Sequence, residues 1–152
     1  MNCSGLSQDF VLTRLKETGC RITEPRKALV AALTQALTPQ SVIELHVEAN
    51  TRIAALNCSQ RVNLVTAYRF VNLLESLGLA TRIDFAQGYA RYEAVSSDNH
   101  HHHVVCDKCG KIESFDDCDV QELSTRILAK FGFVVQRHQL ELYGLCHTCH
   151  PS

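Results

Sequence analysis

The run His100-His101-His102-His103-Val104-Val105-Cys106-Asp107-Lys108-Cys109-Gly110-Lys111 joins four consecutive histidines to a Cys-x-x-Cys pair, and a second such pair stands at Cys146 and Cys149. Each pair sets two thiols on one tight turn. Four thiolates fill a tetrahedral Zn²⁺ completely and leave no open position for chemistry. The pattern therefore predicts a structural zinc clamp made of Cys106, Cys109, Cys146 and Cys149. Roughly 36 residues separate the pairs, more than a simple zinc ribbon holds, so a folded element is expected between them.

The histidines form a second and different metal-binding prospect. On an extended segment alternate side chains share a face, so His101 and His103 point one way, and His100 and His102 the other. Each face can offer two imidazoles, which suit Zn²⁺ and Fe²⁺ alike.

Downstream, Val104-Val105 and Lys111 to Phe115 read as short strands. Val120, Leu123, Ile127, Leu128 and Phe131 fall at helical spacing, with Gly132 as the stop. Phe133 to Tyr143 reads as a further strand, with His138 on its inward face beside Leu140 and Leu142. Such a strand–helix–strand unit is too small to be very stable alone; zinc and a partner subunit are expected to supply the difference.

Upstream, Ser96-Ser97-Asp98-Asn99 is a polar joint, which predicts one domain over 1–95, a hinge at about 94–99 and a second domain over 100–152. In the first domain, Ser7 to Thr18 reads as a helix stopped by Gly19. Thr23 caps a second helix that begins Glu24-Pro25 and buries Ala28, Leu29, Ala32 and Leu33. Thr38-Pro39-Gln40 starts a third through Val42, Leu45 and Val47. Residues 51–62 fit either its extension or a long loop. Asn63 to Leu77 is the clearest helix, with Leu64, Tyr68, Val71 and Leu74 as its apolar stripe. Thr81 to Ala94 reads as a β-hairpin turning at Ala86-Gln87-Gly88. Helices followed by a hairpin make a winged helix-turn-helix, so the fold class is α+β: a winged helix and then a small α/β domain with a four-cysteine zinc site. In winged-helix folds a recognition helix enters the major groove.

Charge and cysteine usage agree with this division. Residues 1–90 carry 9 Lys/Arg against 7 Asp/Glu, and residues 91–152 carry 6 against 9; a basic front half suits nucleic acid. No stretch approaches a membrane span, and the start of the chain has no apolar signal region, so a cytoplasmic protein is expected. In that compartment eight cysteines read as metal ligands and reduced thiols rather than as disulfides. Cys3, Cys20, Cys58 and Cys118 lack a Cys-x-x-Cys partner and read as free thiols.

Four motifs, in order along nearly the whole chain, resemble one family. Gly19-Cys20-Arg21-Ile22-Thr23-Glu24-Pro25-Arg26 is similar to its G-x-R/K-x-T-x-x-R entry to the second helix. Leu64-Val65-Thr66-Ala67-Tyr68-Arg69 is similar to its L-x-T-V-Y-R recognition helix, with Ala67 for valine. His100 to Lys111, and Leu142-Tyr143-Gly144-Leu145-Cys146-x-x-Cys149, resemble its metal-binding half. This is the ferric-uptake-regulator (Fur) family of bacterial metal-dependent repressors. The resemblance implies a homodimer that binds double-stranded operator DNA and represses metal-uptake or homeostasis genes when a regulatory Fe²⁺ or Zn²⁺ is bound, with Mn²⁺ a further candidate.

It also implies roles for single residues. Tyr68 and Arg69 would read DNA; without the resemblance Tyr68 reads equally well as a core aromatic. Arg21 would act on the minor-groove side and Arg26 on phosphate, with Arg82 and Arg91 as wing candidates. Glu93, His101 and His103 would hold the regulatory metal and lock one half of the chain against the other. His100, His102 and His138 would serve a further site, although His138 could equally be a core histidine. The chain departs from the family's pattern at Ala36-Leu37-Thr38, where a histidine is expected, and at Ser114 and Gln121, where acidic residues are expected. Their neighbours Glu113 and Glu122 are the substitutes, with His46 and Cys58 as replacements from the front half.

Three rival functions remain at the level of sequence, one of them a zinc-stabilised protein-interaction module with no DNA role. A peroxide sensor on the same scaffold would oxidise a histidine ligand through bound Fe²⁺. A zinc hydrolase or deaminase would need His-x-Glu and Pro-Cys-x-x-Cys; His46-Val47-Glu48 has the first form, but Val105 and Leu145, not proline, precede the cysteine pairs.

Overall fold

In the computed structural model, which describes residues 6–85, 88–95 and 100–150, the Ser7 hydroxyl accepts a hydrogen bond from the Phe10 amide at 3.2 Å and opens α1, Gln8–Glu17. The chain divides into two compact units, Met1–Asn99 and His100–Ser152. The polar joint at 96–99, the turn residues Ala86 and Gln87, and Cys3 lie outside the described residues.

The first unit is built on four helices. α2 is Glu24–Thr34, and Pro25 sits in its first turn, where a missing amide costs nothing. Thr23 occupies the N-cap position but makes no side-chain capping bond, contrary to the expectation from sequence. α3 is Val42–Ala55 and begins later than expected, at a capping box in which Ser41 and Glu44 satisfy each other's amides. The ambiguous stretch therefore splits: it is helical to Ala55, then turns at Asn57 in the left-handed region, φ 53°. Asn50 fixes the returning loop through both backbone groups of Val62, accepting from its amide and donating to its carbonyl at 3.0 Å.

α4, Leu64–Ser76, is capped by the Asn63 side chain, which accepts from the Thr66 amide at 2.8 Å. Its buried face is Ala67, Phe70, Val71 and Leu74. Of the apolar stripe expected from sequence, Val71 and Leu74 are buried, but Leu64 and Tyr68, apolar enough to count towards either face, are exposed. Leu15, Leu29, Leu45, Ile53 and Leu74 are almost wholly removed from water, each worth about 1.5–3 kcal/mol of transfer free energy.

The wing is a hairpin of β1, Ala80–Asp84, and β2, Ala90–Ala94, pairing Arg82 with Tyr92. It is tied to the helices by two backbone bonds between Gln40 and Tyr92, at 2.8 and 2.7 Å. Arg91, a wing candidate for DNA, is instead buried and bonded to Glu44 and to the Pro39 carbonyl.

The second unit is a three-stranded sheet in the order β4-β3-β5, with β3 His102–Cys106, β4 Ile112–Phe115 and β5 Glu141–Gly144. β3 is antiparallel to β4 and parallel to β5. A parallel pair needs a crossover, and α5, Val120–Phe131, supplies it before an αL cap at Gly132, φ 73°. The expected strand over Phe133 to Tyr143 is reduced to Glu141–Gly144, so His138 lies in the loop before it and is exposed. The core-histidine reading of His138 does not survive that exposure.

Candidate metal centres and nucleic-acid interface

The parallel register explains how distant cysteines meet. β3 and β5 run side by side with Cys106 opposite Gly144, so both Cys-x-x-Cys turns leave the sheet at the same end. The Gly144 carbonyl accepts from the Asp107 amide at 2.8 Å, and the Cys106 sulfur accepts from the Cys146 amide at 3.3 Å. Within the first turn the Gly110 amide returns to the Cys106 carbonyl, with Gly110 at φ 72°.

The four sulfurs lie within 4.8 Å of one another, Cys109 Sγ and Cys146 Sγ at 3.6 Å. A tetrahedral Zn–S₄ unit with bonds of about 2.3 Å needs sulfur–sulfur edges of about 3.8 Å, so the donor set fits Zn²⁺ closely. Protons are shared unevenly. Cys146 is pulled down to about 6, first by the Thr148 hydroxyl 3.0 Å away. Cys106 is lowered by backbone amides, that of Cys146 first. Burial, and then the neighbouring thiols, push Cys149 up to about 12. Four thiolates cannot coexist here without a cation to neutralise them.

The histidines alternate as an extended chain requires. The rings of His101 and His103 meet edge-on at 5.0 Å, and those of His100 and His102 at 4.4 Å. His103 and His102 are buried. Glu93 stands on β2 in the first unit, opposite Thr81. On the other face of β3, His138 comes within 4.4 Å of His100 and 5.2 Å of His102, ring to ring. Burial, and then the neighbouring histidines, lower the pKa of His102.

Sequence reasoning missed one member of this second group. Cys118 Sγ lies 3.2 Å from His138 Nε2, and its sulfur joins the three imidazoles within 4.8 Å. No spacing rule marks Cys118; only the fold of the 116–119 loop brings it there. Glu113 and Glu122 stand outside the group, and Glu113 pairs with Lys111 at 2.7 Å. His46 and Cys58 belong to none of the metal-capable groups among the described residues. His46 Nε2 lies 2.9 Å from the Val62 carbonyl and helps anchor that loop.

In the first unit, α4 turns Val65, Tyr68 and Arg69 outwards, with Tyr68 45% exposed. Arg21 is exposed as well. Arg26 is half-buried: its guanidinium bonds to the Arg21 carbonyl and lies 5.6 Å from the centre of the Phe70 ring. It links the entry to α2 with α4. Arg82, exposed on β1, pairs with Asp84 at 2.9 Å.

A family model described as the ferric uptake regulator family matches residues 17–143. A ferric uptake regulation protein of Legionella pneumophila is 34% identical over 136 residues, covering 90% of this chain and 96% of that protein. Among solved structures, a zinc-bound manganese uptake regulator is 32% identical with a TM-score of 0.73, covering 90% of this chain and 98% of that one. The Vibrio cholerae ferric uptake regulator is 31% identical with a TM-score of 0.69, covering 88% and 98%.

Proposed function

As a chain that belongs to the ferric uptake regulator family, the protein is a transcriptional regulator rather than an enzyme, and we propose that it represses metal-uptake or homeostasis genes by binding operator DNA as a metal-loaded homodimer. The observation that carries the DNA half is the orientation of α4. Its apolar side is consumed in the core by Ala67, Phe70, Val71 and Leu74, while Tyr68 and Arg69 face solvent. Arg can pair with guanine or phosphate, and a tyrosine ring can pack on a thymine methyl. Arg21 is exposed at the entry to α2 and contributes a further basic contact. Arg26 acts mainly by holding that entry against Phe70.

The four cysteines hold a structural Zn²⁺. It closes the second unit and supplies no chemistry, since all four positions are taken by sulfur. The regulatory ion, Fe²⁺ or Zn²⁺ with Mn²⁺ a further candidate, is assigned to His101 and His103 with Glu93. A metal that binds one arrangement of the two units better shifts the population towards it, and so towards DNA binding. The zinc-bound manganese uptake regulator, similar to this chain over nearly its whole length, supports a metal-dependent reading.

The dimer rests on α5. None of its residues is buried, and Leu123, Leu128 and Phe131 are 49%, 50% and 63% exposed. An apolar stripe of this kind, carried on a small sheet, is suited to a second copy. No helix of the described residues is long and apolar enough to cross a membrane, and a regulator that acts on operator DNA is expected to work in the cytoplasm.

The test is a DNA-binding titration with Zn²⁺, Fe²⁺ and Mn²⁺ on protein that retains only its cysteine-bound metal. At least one ion should raise operator affinity by about 5–150-fold; unchanged affinity with all three sinks the switch. Loss of DNA binding when iron-loaded protein meets peroxide, with oxidation mapped to a histidine, would make the protein a peroxide sensor instead.

A further inference from the structure

The loop that leads from β4 into α5 reads Asp116-Asp117-Cys118-Asp119, and among its four side chains only the thiol joins the histidines. His100 and His102 come from one face of β3, and His138 from the loop before β5. Their three ring nitrogens and the Cys118 sulfur lie within 4.8 Å of one another, and no carboxylate belongs to the set. The contact between Cys118 Sγ and His138 Nε2, 3.2 Å, is already shorter than the edge of about 3.5 Å that a tetrahedral centre with Zn–N near 2.0 Å and Zn–S near 2.3 Å requires.

An independent sign of a ligand comes from His102. The residue is 2% exposed, and its Nε2 is buried with no hydrogen-bond partner among the described residues. An unsatisfied buried nitrogen is costly, and a metal ion would satisfy it. Phe115 packs 5.5 Å from the ring, centre to centre, and helps set its orientation.

We propose that Cys118 supplies the thiolate of a closed site with His100, His102 and His138, built for Zn²⁺ in preference to Fe²⁺ or Mn²⁺. On binding, the Cys118 S–H proton passes to solvent and a metal–sulfur bond forms in its place. Three imidazoles and one thiolate fill a tetrahedron, the geometry of zinc rather than of the six-coordinate, oxygen-rich sites that suit Mn²⁺. Sulfur takes the place beside these imidazoles that the sequence pattern gives to the carboxylates Glu113 and Glu122. This site is distinct from the His101–His103 face, and the inference goes beyond the DNA switch and does not depend on it.

Thiol alkylation of the full wild-type chain, carrying only its four-cysteine zinc and mapped by peptide mass, tests the proposal without DNA. Added Zn²⁺ should slow alkylation of Cys118 by at least about tenfold, leave Cys20 and Cys58 unchanged, and outperform the same concentration of Mn²⁺. Equal Cys118 reactivity with and without Zn²⁺ overturns the ligand assignment, and equal protection by Mn²⁺ overturns the selectivity. With Co²⁺ as a probe, the equivalent bound beyond the four-cysteine site should show a thiolate-to-cobalt charge-transfer band that Cys118→Ser lacks. Persistence of the band in that variant, with the four-cysteine zinc retained, also refutes the site.

Discussion

Arg91 of the wing and Glu44 of α3 form an ion pair at 2.9 Å, with the arginine side chain only 10% exposed. The same carboxylate oxygen accepts from the Ser41 amide at 2.7 Å, so one side chain both caps α3 and neutralises a buried cation. The hairpin is thereby fastened to the helical core at a point remote in sequence.

Removing the anion alone should cost more than removing the cation. Glu44→Ala leaves a buried guanidinium without its counter-charge and loses the capping box; about 2–3 kcal/mol of stability should go. Arg91→Met, which removes the charge and keeps apolar bulk, should cost clearly less. Urea unfolding midpoints of the two variants, compared with wild type, check the order.

Tyr92 next to it gives the first unit an alkaline limit. Burial is the main cause that raises its phenol above 10.0. The folded state therefore holds the proton more tightly than the unfolded chain does. That stabilisation is fully present below about pH 10 and is lost as pH rises through the higher folded pKa. Between about pH 8 and about pH 11, wild type should lose more stability than Tyr92→Phe, as read by urea midpoints at each pH.

Neighbouring residues on α4 should separate stability from DNA binding. Phe70→Ala empties the core and removes the platform under Arg26, costing about 3–5 kcal/mol. Tyr68→Ala should cost under about 1 kcal/mol, yet weaken operator binding, and Arg69→Ala should abolish it at equal metal loading. Thermal unfolding beside an electrophoretic or anisotropy DNA assay tells the two classes apart.

Cys149→Ser should lose the clamp zinc, measurable by metal analysis, and with it the fold of the second unit or the dimer. A folded, dimeric, zinc-free variant would contradict the structural role.

The α5 stripe makes its own claim on assembly. Leu128→Asp places a charge on a half-exposed apolar position, so it should leave the protomer folded while producing monomers in sedimentation or light scattering.

Much of this protein was determined by local sequence. The Cys-x-x-Cys turns, the two-residue alternation of the histidines and the helices that begin beside Ser7 and Asn63 depend on neighbours in the chain, and periodicity or spacing reports them directly. The tertiary structure decided what depends on distant partners. Tyr68 and Phe70 are both aromatic, and only the packing of α4 showed that Phe70 turns inwards and Tyr68 outwards. Arg91 resembled a surface wing cation until Glu44, 47 residues away, was placed beside it. Cys118 carried no motif, because its companions His100, His102 and His138 come from a strand and a loop that meet only when β5 pairs in parallel with β3. Spacing can specify ligands that share one turn; ligands gathered from separate elements are specified by the sheet register that brings those elements together.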